Sequence, residues 1–150
     1  MSGKNIVGLG VFVCIFNKDF SKIMLTRLNA AKRKRWGAEW SNVGGKIEFG
    51  EDSKQACIRE ANEETGLNIN PKDLTLIDIK EAPNLLPHLH AIHFVYATTI
   101  RESSKIILNY ESDSYGWFSF KKLPKGMFDS KKDILNWRNI AKSKLRKRHD

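Results

Sequence analysis

Apolar positions along the chain switch between two periods, and the switches mark the elements. "NIVGLGVFVCIFN" is a near-continuous run of Val, Ile and Phe, which predicts a strand buried on both faces. "SKIMLTRL" predicts a second strand, joined to the first through the polar turn "NKDFS". The basic stretch "AAKRKRWG" then reads as a loop, and "EWSNVGGKIEF" as extended chain broken by two glycines. There the period becomes helical. Asp52 or Ser53 can cap a helix N-terminus, Gln55 and Glu60 follow, and Gly66 suits its C-terminal turn. The expected helix covers residues 53 to 65. "LTLIDIKEA" and "HAIHFVYATTI" read as strands separated by a loop around "EAPNLLP", and "YGWFSF" as a short aromatic strand. After the loop "LPKGMFDS", residues Lys131 to Lys147 form an amphipathic helix whose apolar face is Ile134, Leu135, Trp137, Ile140 and Ala141. Strands and helices are mixed, with no repeat or linker, so the expectation is one domain over residues 1–150 built as an α/β or α+β sandwich.

Composition narrows the class. Hydrophobic residues make up 41% and charged residues 29% of 150, ordinary for a globular protein. No apolar run reaches the length of a membrane span, and the N-terminus lacks the regions of a secretory signal. Cys14 and Cys57 have no paired spacing, and read as reduced core residues of a cytoplasmic protein rather than as zinc ligands or a disulfide. The net charge of +9 has two obvious sources, Ala30–Gly37 and Lys142–Asp150. Either could meet nucleotide phosphate or RNA, or could simply be solvated. The tail reads as a solvated helix end; for Lys32–Arg35 both readings stay open.

Against that basic background, Gly44 to Leu67 gathers carboxylates. Glu60, Glu63 and Glu64 fall at i, i+3 and i+4, on one helix face. Unpartnered, they would raise one another's pKa and weaken the helix. A hard divalent cation, Mg²⁺ or Mn²⁺, removes the conflict and commonly bridges to a phosphate. Arg59 can pair with one carboxylate, and Gly44–Gly45 let a metal or phosphate approach the backbone. A lone "REANEE" would be read as a solvated helix face. Here the spacing extends much further, from Gly45 through five residues to Glu51 and seven more to Arg59-Glu60-Ala61-Asn62-Glu63-Glu64-Thr65-Gly66-Leu67.

That pattern resembles the signature of the Nudix hydrolases, GX5EX7REUXEEXGU with U a bulky aliphatic residue. It matches without a gap, with every fixed Gly, Glu and Arg present and Ala61 smaller than the usual aliphatic. The resemblance implies a Nudix-type α/β/α sandwich with a mixed sheet and a loop–helix–loop motif at its active edge. It also implies an enzyme that hydrolyses a nucleoside diphosphate linked to another group, with Mg²⁺ or Mn²⁺ as cofactor. By position, Glu60, Glu63 and Glu64 match the metal-binding glutamates, and Gly44 matches the glycine whose carbonyl completes the coordination. Glu51 and Arg59 match the bracing positions, and Lys46 the phosphate-facing lysine. Arg27 looks like an arginine that reaches a distal phosphate, or a strand residue facing solvent. Glu111, in a later loop, matches one place from which the family draws its general base; the alternative is a turn residue.

For the substrate, "EWSNVGGK" with "ESDSYGWFSFKKLP" resembles the branch that cleaves purine nucleoside triphosphates, oxidised ones included. There an Asn after the Trp reads the base; here that place is Ser41, and Asn42 follows. Asn42 either binds the base or satisfies its loop. Trp117, Phe118 and Phe128 could stack on a base or pack in the core. Pro83 has a spacing resembling the ADP-ribose-cleaving branch, and His88 and His90 share a strand face opposite His93. The leading expectation is a triphosphate hydrolysed to monophosphate and pyrophosphate, by a monomer or homodimer that needs no membrane. ADP-ribose or nucleotide-sugar cleavage, action on RNA 5′ ends, and a non-catalytic nucleotide sensor stand as alternatives.

Overall fold

The computed structural model describes residues 3–149, with side chains through residue 146. At its centre lies β1 (Ile6–Phe16), paired in parallel along its whole length with β6 (Leu89–Thr99). Outside β6, β5 (Thr75–Leu86) runs antiparallel as an edge strand. On the other side, residues Gly10–Val13 take β4 (Val43–Lys46), also antiparallel. The end of β1 continues into β2 (Lys22–Leu28), which in turn carries β3 (Trp40–Ser41) and β7 (Ser112–Ser119). The result is one mixed seven-stranded sheet.

Because successive strand residues face opposite ways, β1 feeds two cores. Val11, Val13 and Ile15 pack with Ala56, Cys57 and Ala61 of α2 (Ser53–Thr65). Phe12, Cys14 and Phe16 pack with Ile134, Trp137, Ala141 and Leu145 of α3 (Lys131–His149). Sheet between helices is the expected α/β/α sandwich. Among the described residues, no helix is long and apolar enough to cross a membrane. The last residues of the basic tail, expected as a solvated helix end, lie outside the described side chains.

α2 has the expected bounds, set by its ends. The Asp52 carboxylate accepts from Gln55 N at 2.8 Å, the Gln55 side chain accepts from Asp52 N at 2.8 Å, and Gly66 closes the helix at φ 74°. Two expectations are corrected. "AAKRKRW" is a helix, α1 (Ala30–Trp36), not a loop: Asn29 accepts from Lys32 N, Gly37 at φ 64° stops it, and Arg33, Lys34 and Arg35 suit the negative end of its dipole. The stretch around Pro83 is strand, not loop. β5 runs through it to Leu86, and Pro83 is accommodated because β5 is an edge with irregular register between Ala82 and Leu86. His88, at φ 67°, makes the tight connection to β6.

Two side chains tie the α3 face together. Trp137 is fully buried and donates its indole N–H to Asp78 Oδ2 at 2.7 Å. His93 stacks on Phe12 across the parallel β1–β6 pair, with ring centroids 4.3 Å apart. Burial, and then the charge of Lys80, hold its imidazole down at about 4.

Trp137→Ala should lower unfolding free energy by about 3–5 kcal/mol in urea titration; a loss below about 1 kcal/mol would mean that α3 is not anchored by this residue. For His93 the unfolded chain takes up the proton first as pH falls below its ordinary 6.5. The stability gained by keeping this imidazole neutral is therefore present above pH 6.5 and is lost as pH falls toward 4. Discounted for partial exposure, the loss is on the order of 2 kcal/mol. The stability gap between wild type and His93→Asn should narrow by that amount between pH 7.5 and 4.5; a constant gap refutes the assignment.

Candidate active site

The site is built where β4 runs into the loop before α2. A Cβ at Gly44 would strike the Val11 carbonyl, and one at Gly45 the Glu60 carboxylate. The glycine pair is thus required by close approach on both sides, of a neighbouring strand and of the acidic helix face.

Arg59 organises the carboxylates. Its Nη2 donates to Glu51 Oε1 at 2.7 Å and to the Lys46 carbonyl at 2.9 Å, its Nε to Glu51 Oε2 at 3.1 Å, and its Nη1 to Glu60 at 2.9 Å and Glu63 at 3.3 Å. The Glu51 hydrogen bonds raise the guanidinium pKa further, and the Arg59 bonds hold Glu51 below the ordinary carboxylate value. Glu60 and Glu64 are buried, and desolvation pushes both upward. For Glu64 the charges of Glu60 and Glu111 add to that push, and the charge of Lys32 and then the Gly44 N–H, donating at 3.1 Å, oppose it. Glu63 is half-exposed.

Among the described residues no three carboxylates, imidazoles or thiols already converge as a metal cage. Glu60 and Glu63 lean on Arg59 instead. The donor set nonetheless suits a hard divalent cation: oxygen ligands only, two of them buried acids whose charged forms need a positive partner.

Glu111 comes to the same place from the loop before β7. It accepts from Lys32 Nζ at 2.7 Å and from Asn109 Nδ2 at 3.0 Å. Burial raises its pKa, but these bonds outweigh burial and leave it lowered. Lys32 belongs to the basic stretch Lys32–Arg35 for which a phosphate-facing and a solvated reading stood open, and its position here depends on the unexpected helix α1.

Next to the glutamates opens a cavity of about 370 Å³. Its lining includes Gly44, Gly45, Lys46, Glu64 and Lys32, together with Phe12, Trp36, Asn42, His93 and Phe128. Asn42 is buried. Its Nδ2 lies 3.5 Å from Asp129 Oδ2, while its Oδ1 has no hydrogen-bond partner among the described residues. Asp129 is itself buried and held by Lys80 at 3.0 Å.

Other anticipated residues lie elsewhere. Arg27 does not line the cavity: β2 sits between β3 and β7, and its guanidinium is taken up by Glu39 at 2.8 Å and Asp113 at 3.5 Å. Trp117 and Phe118 pack against the two cores, leaving Phe128 as the cavity aromatic of that trio. Pro83 is exposed, and His88 meets Asn5 at 2.8 Å. Cys57 is buried with a free thiol pushed up to about 12, chiefly by desolvation, so it packs rather than reacts.

Comparison with known proteins agrees with this geometry. An ADP-ribose pyrophosphatase of Methanocaldococcus jannaschii is 31% identical over 128 residues, 83% of this chain and 72% of that protein. A CTP pyrophosphohydrolase of Escherichia coli is 31% identical over 83 residues, 55% of this chain and 59% of that protein. The crystal structure of a MutT NUDIX hydrolase from Burkholderia pseudomallei superposes with a TM-score of 0.73 at 21% identity, covering 88% of this chain and 98% of that one. The NUDIX domain model matches residues 7–138. With the signature glutamates, the glycine pair and the sandwich in place, the chain belongs to the Nudix hydrolase family.

Proposed function

We propose that this chain hydrolyses a nucleoside triphosphate to monophosphate and pyrophosphate. The observation that carries the reading is the continuity of one cavity. Acidic and basic groups suited to a phosphate chain, Glu64, Lys46 and Lys32, share it with an aromatic and amide end suited to a heterocycle, Phe12, Phe128 and Asn42. The unpartnered Oδ1 of Asn42 is a buried acceptor that a base N–H would satisfy.

Glu60, Glu63, Glu64 and the Gly44 carbonyl would hold Mg²⁺ or Mn²⁺. Such a cation neutralises a diphosphate bridge and lowers the pKa of a bound water. The remaining work belongs to the chain. Arg59 and Glu51 fix the loop and the helix face. Lys46, and Lys32 from α1, face the substrate's negative charge. Glu111, whose charged form Lys32 and Asn109 favour, would take the proton of the water attacking in line.

One observation favours a second reading, cleavage of ADP-ribose: the relative from M. jannaschii carries that activity in its name. Pro83, the sequence cue for it, is exposed on the edge strand and does not line the cavity.

Product analysis with Mg²⁺ across normal and oxidised dNTPs, NTPs, ADP-ribose, dinucleoside polyphosphates and triphosphorylated RNA separates the readings. Pyrophosphate release from a triphosphate supports the proposal. Preferred formation of AMP and ribose 5-phosphate from ADP-ribose replaces it with the second reading. Glu63→Gln and Glu64→Gln should each lower kcat/KM by roughly a hundredfold or more, with the unfolding midpoint preserved. Wild-type turnover by both variants would remove these glutamates from the machinery.

A further inference from the structure

The lining of the cavity does not stop at Asn42 and the glycine pair. Beyond Gly10 it continues along β1 and β6 past Gly8 and Ala91 to Ile6, Leu89 and Leu85. The register explains why. Ile6 pairs with Leu89, Gly8 with Ala91, Gly10 with His93 and Phe12 with Val95, so alternate residues of two parallel strands turn toward the α3 side together. From Gly10 to Ile6 is four residues, roughly 13 Å at ~3.3 Å each. Glycine keeps the floor clear: a Cβ at Gly8 would stand 3.2 Å from the Leu89 side chain, and one at Gly10 2.9 Å from the His93 ring. Ile6 is 59% exposed, which leaves the far end open.

The chemistry of this extension is uniform. None of Ile6, Gly8, Leu85, Leu89 and Ala91 has a polar side chain, and the floor's backbone is engaged in the β1–β6 ladder. A sugar or a second phosphate placed there would lose its hydration without gaining partners. An apolar group would lose nothing and would bury surface.

We infer that this trough takes an alkyl or aryl group carried on the heterocycle, so that the preferred substrate is a nucleotide with a hydrophobic base substituent. The inference rests on the nucleotide reading above, and names the substrate class of the same site. Continuity points to the occupant: Gly10 and Gly8 lie beyond Phe12 on the same face of β1, so a group that extends a heterocycle past the Phe12–His93 stack enters the trough.

The test is equilibrium binding of AMP and N6-benzyl-AMP to the full chain by titration calorimetry; neither monophosphate has a phosphoanhydride to hydrolyse. N6-benzyl-AMP should bind at least about tenfold more tightly. Gly8→Leu, which fills the floor, should bring the ratio below about threefold. Leu85→Asn, which makes the wall polar, should do the same without adding bulk near β6. Equal affinities in the wild-type chain, or a ratio that survives both substitutions, overturns the inference. The two readings fail separately. Equal binding alongside triphosphate hydrolysis removes the trough and keeps the reaction; a tenfold preference with no triphosphate hydrolysed keeps the trough and removes the reaction.

Discussion

One guanidinium fixes the geometry on which the rest of the candidate site depends. Arg59 meets Glu51, Glu60, Glu63 and the Lys46 carbonyl at once, joining the end of β4, the loop after it and the second turn of α2. Lysine could not do this. A single ammonium lacks the planar fork of five N–H donors that reaches several acceptors in set directions. The arrangement also decides the charge state of the cluster. Desolvation alone would favour protonated Glu60, and the cation beside it acts in the opposite sense.

The fold supplies what Arg59 cannot. Gly45 lets the Glu60 carboxylate lie against bare backbone, and Gly44 offers its N–H to Glu64. Both glycines keep their places because β4 is registered on Gly10–Val13 of β1, residues that also anchor α2 and line the cavity. A register slip of one residue would exchange the two faces. It would carry Phe12 off the cavity side and Val11 off the helix. Packing and chemistry are therefore specified by the same alternation.

How much of this was legible depended on whether a feature was local. α2 and its bounds could be read because Asp52, Gln55 and Gly66 signal within a few residues. α1 could not: seven residues with no buried side chain leave no apolar stripe, and Asn29 and Gly37 were its only signals. Without α1, Lys32 could be read only as part of an open basic stretch, and Trp36 drew no reading. Phe12 and His93 lie far apart in the chain and meet only through a parallel pairing, which periodicity does not reveal. Asp129 sits in an irregular loop, and nothing in its neighbours announced that Asn42 and Lys80 would converge on it. Arg27 shows the converse. Its place in "LTRL" suited a phosphate ligand, but Glu39, just before β3, and Asp113, in β7, occupy it.

The acidic cluster in a basic chain then has an electrostatic explanation. Many of the acids near the site are already compensated by neighbours: Glu111 by Lys32, Asp113 by Arg33, and Glu51 and Glu60 by Arg59. Glu64 is the exception. It is buried, and its neighbours Glu60 and Glu111 are negative; the Lys32 charge and the Gly44 N–H favour its ionised form but do not offset burial. A carboxylate in that position is costly to ionise unless another positive group arrives. Lys46 and Lys32 line the same cavity as Glu64, with Lys32 already paired to Glu111. A cation reaching Glu64 would relieve the burial of its charge, and an anion entering with it would meet Lys46 and Lys32 at the wall.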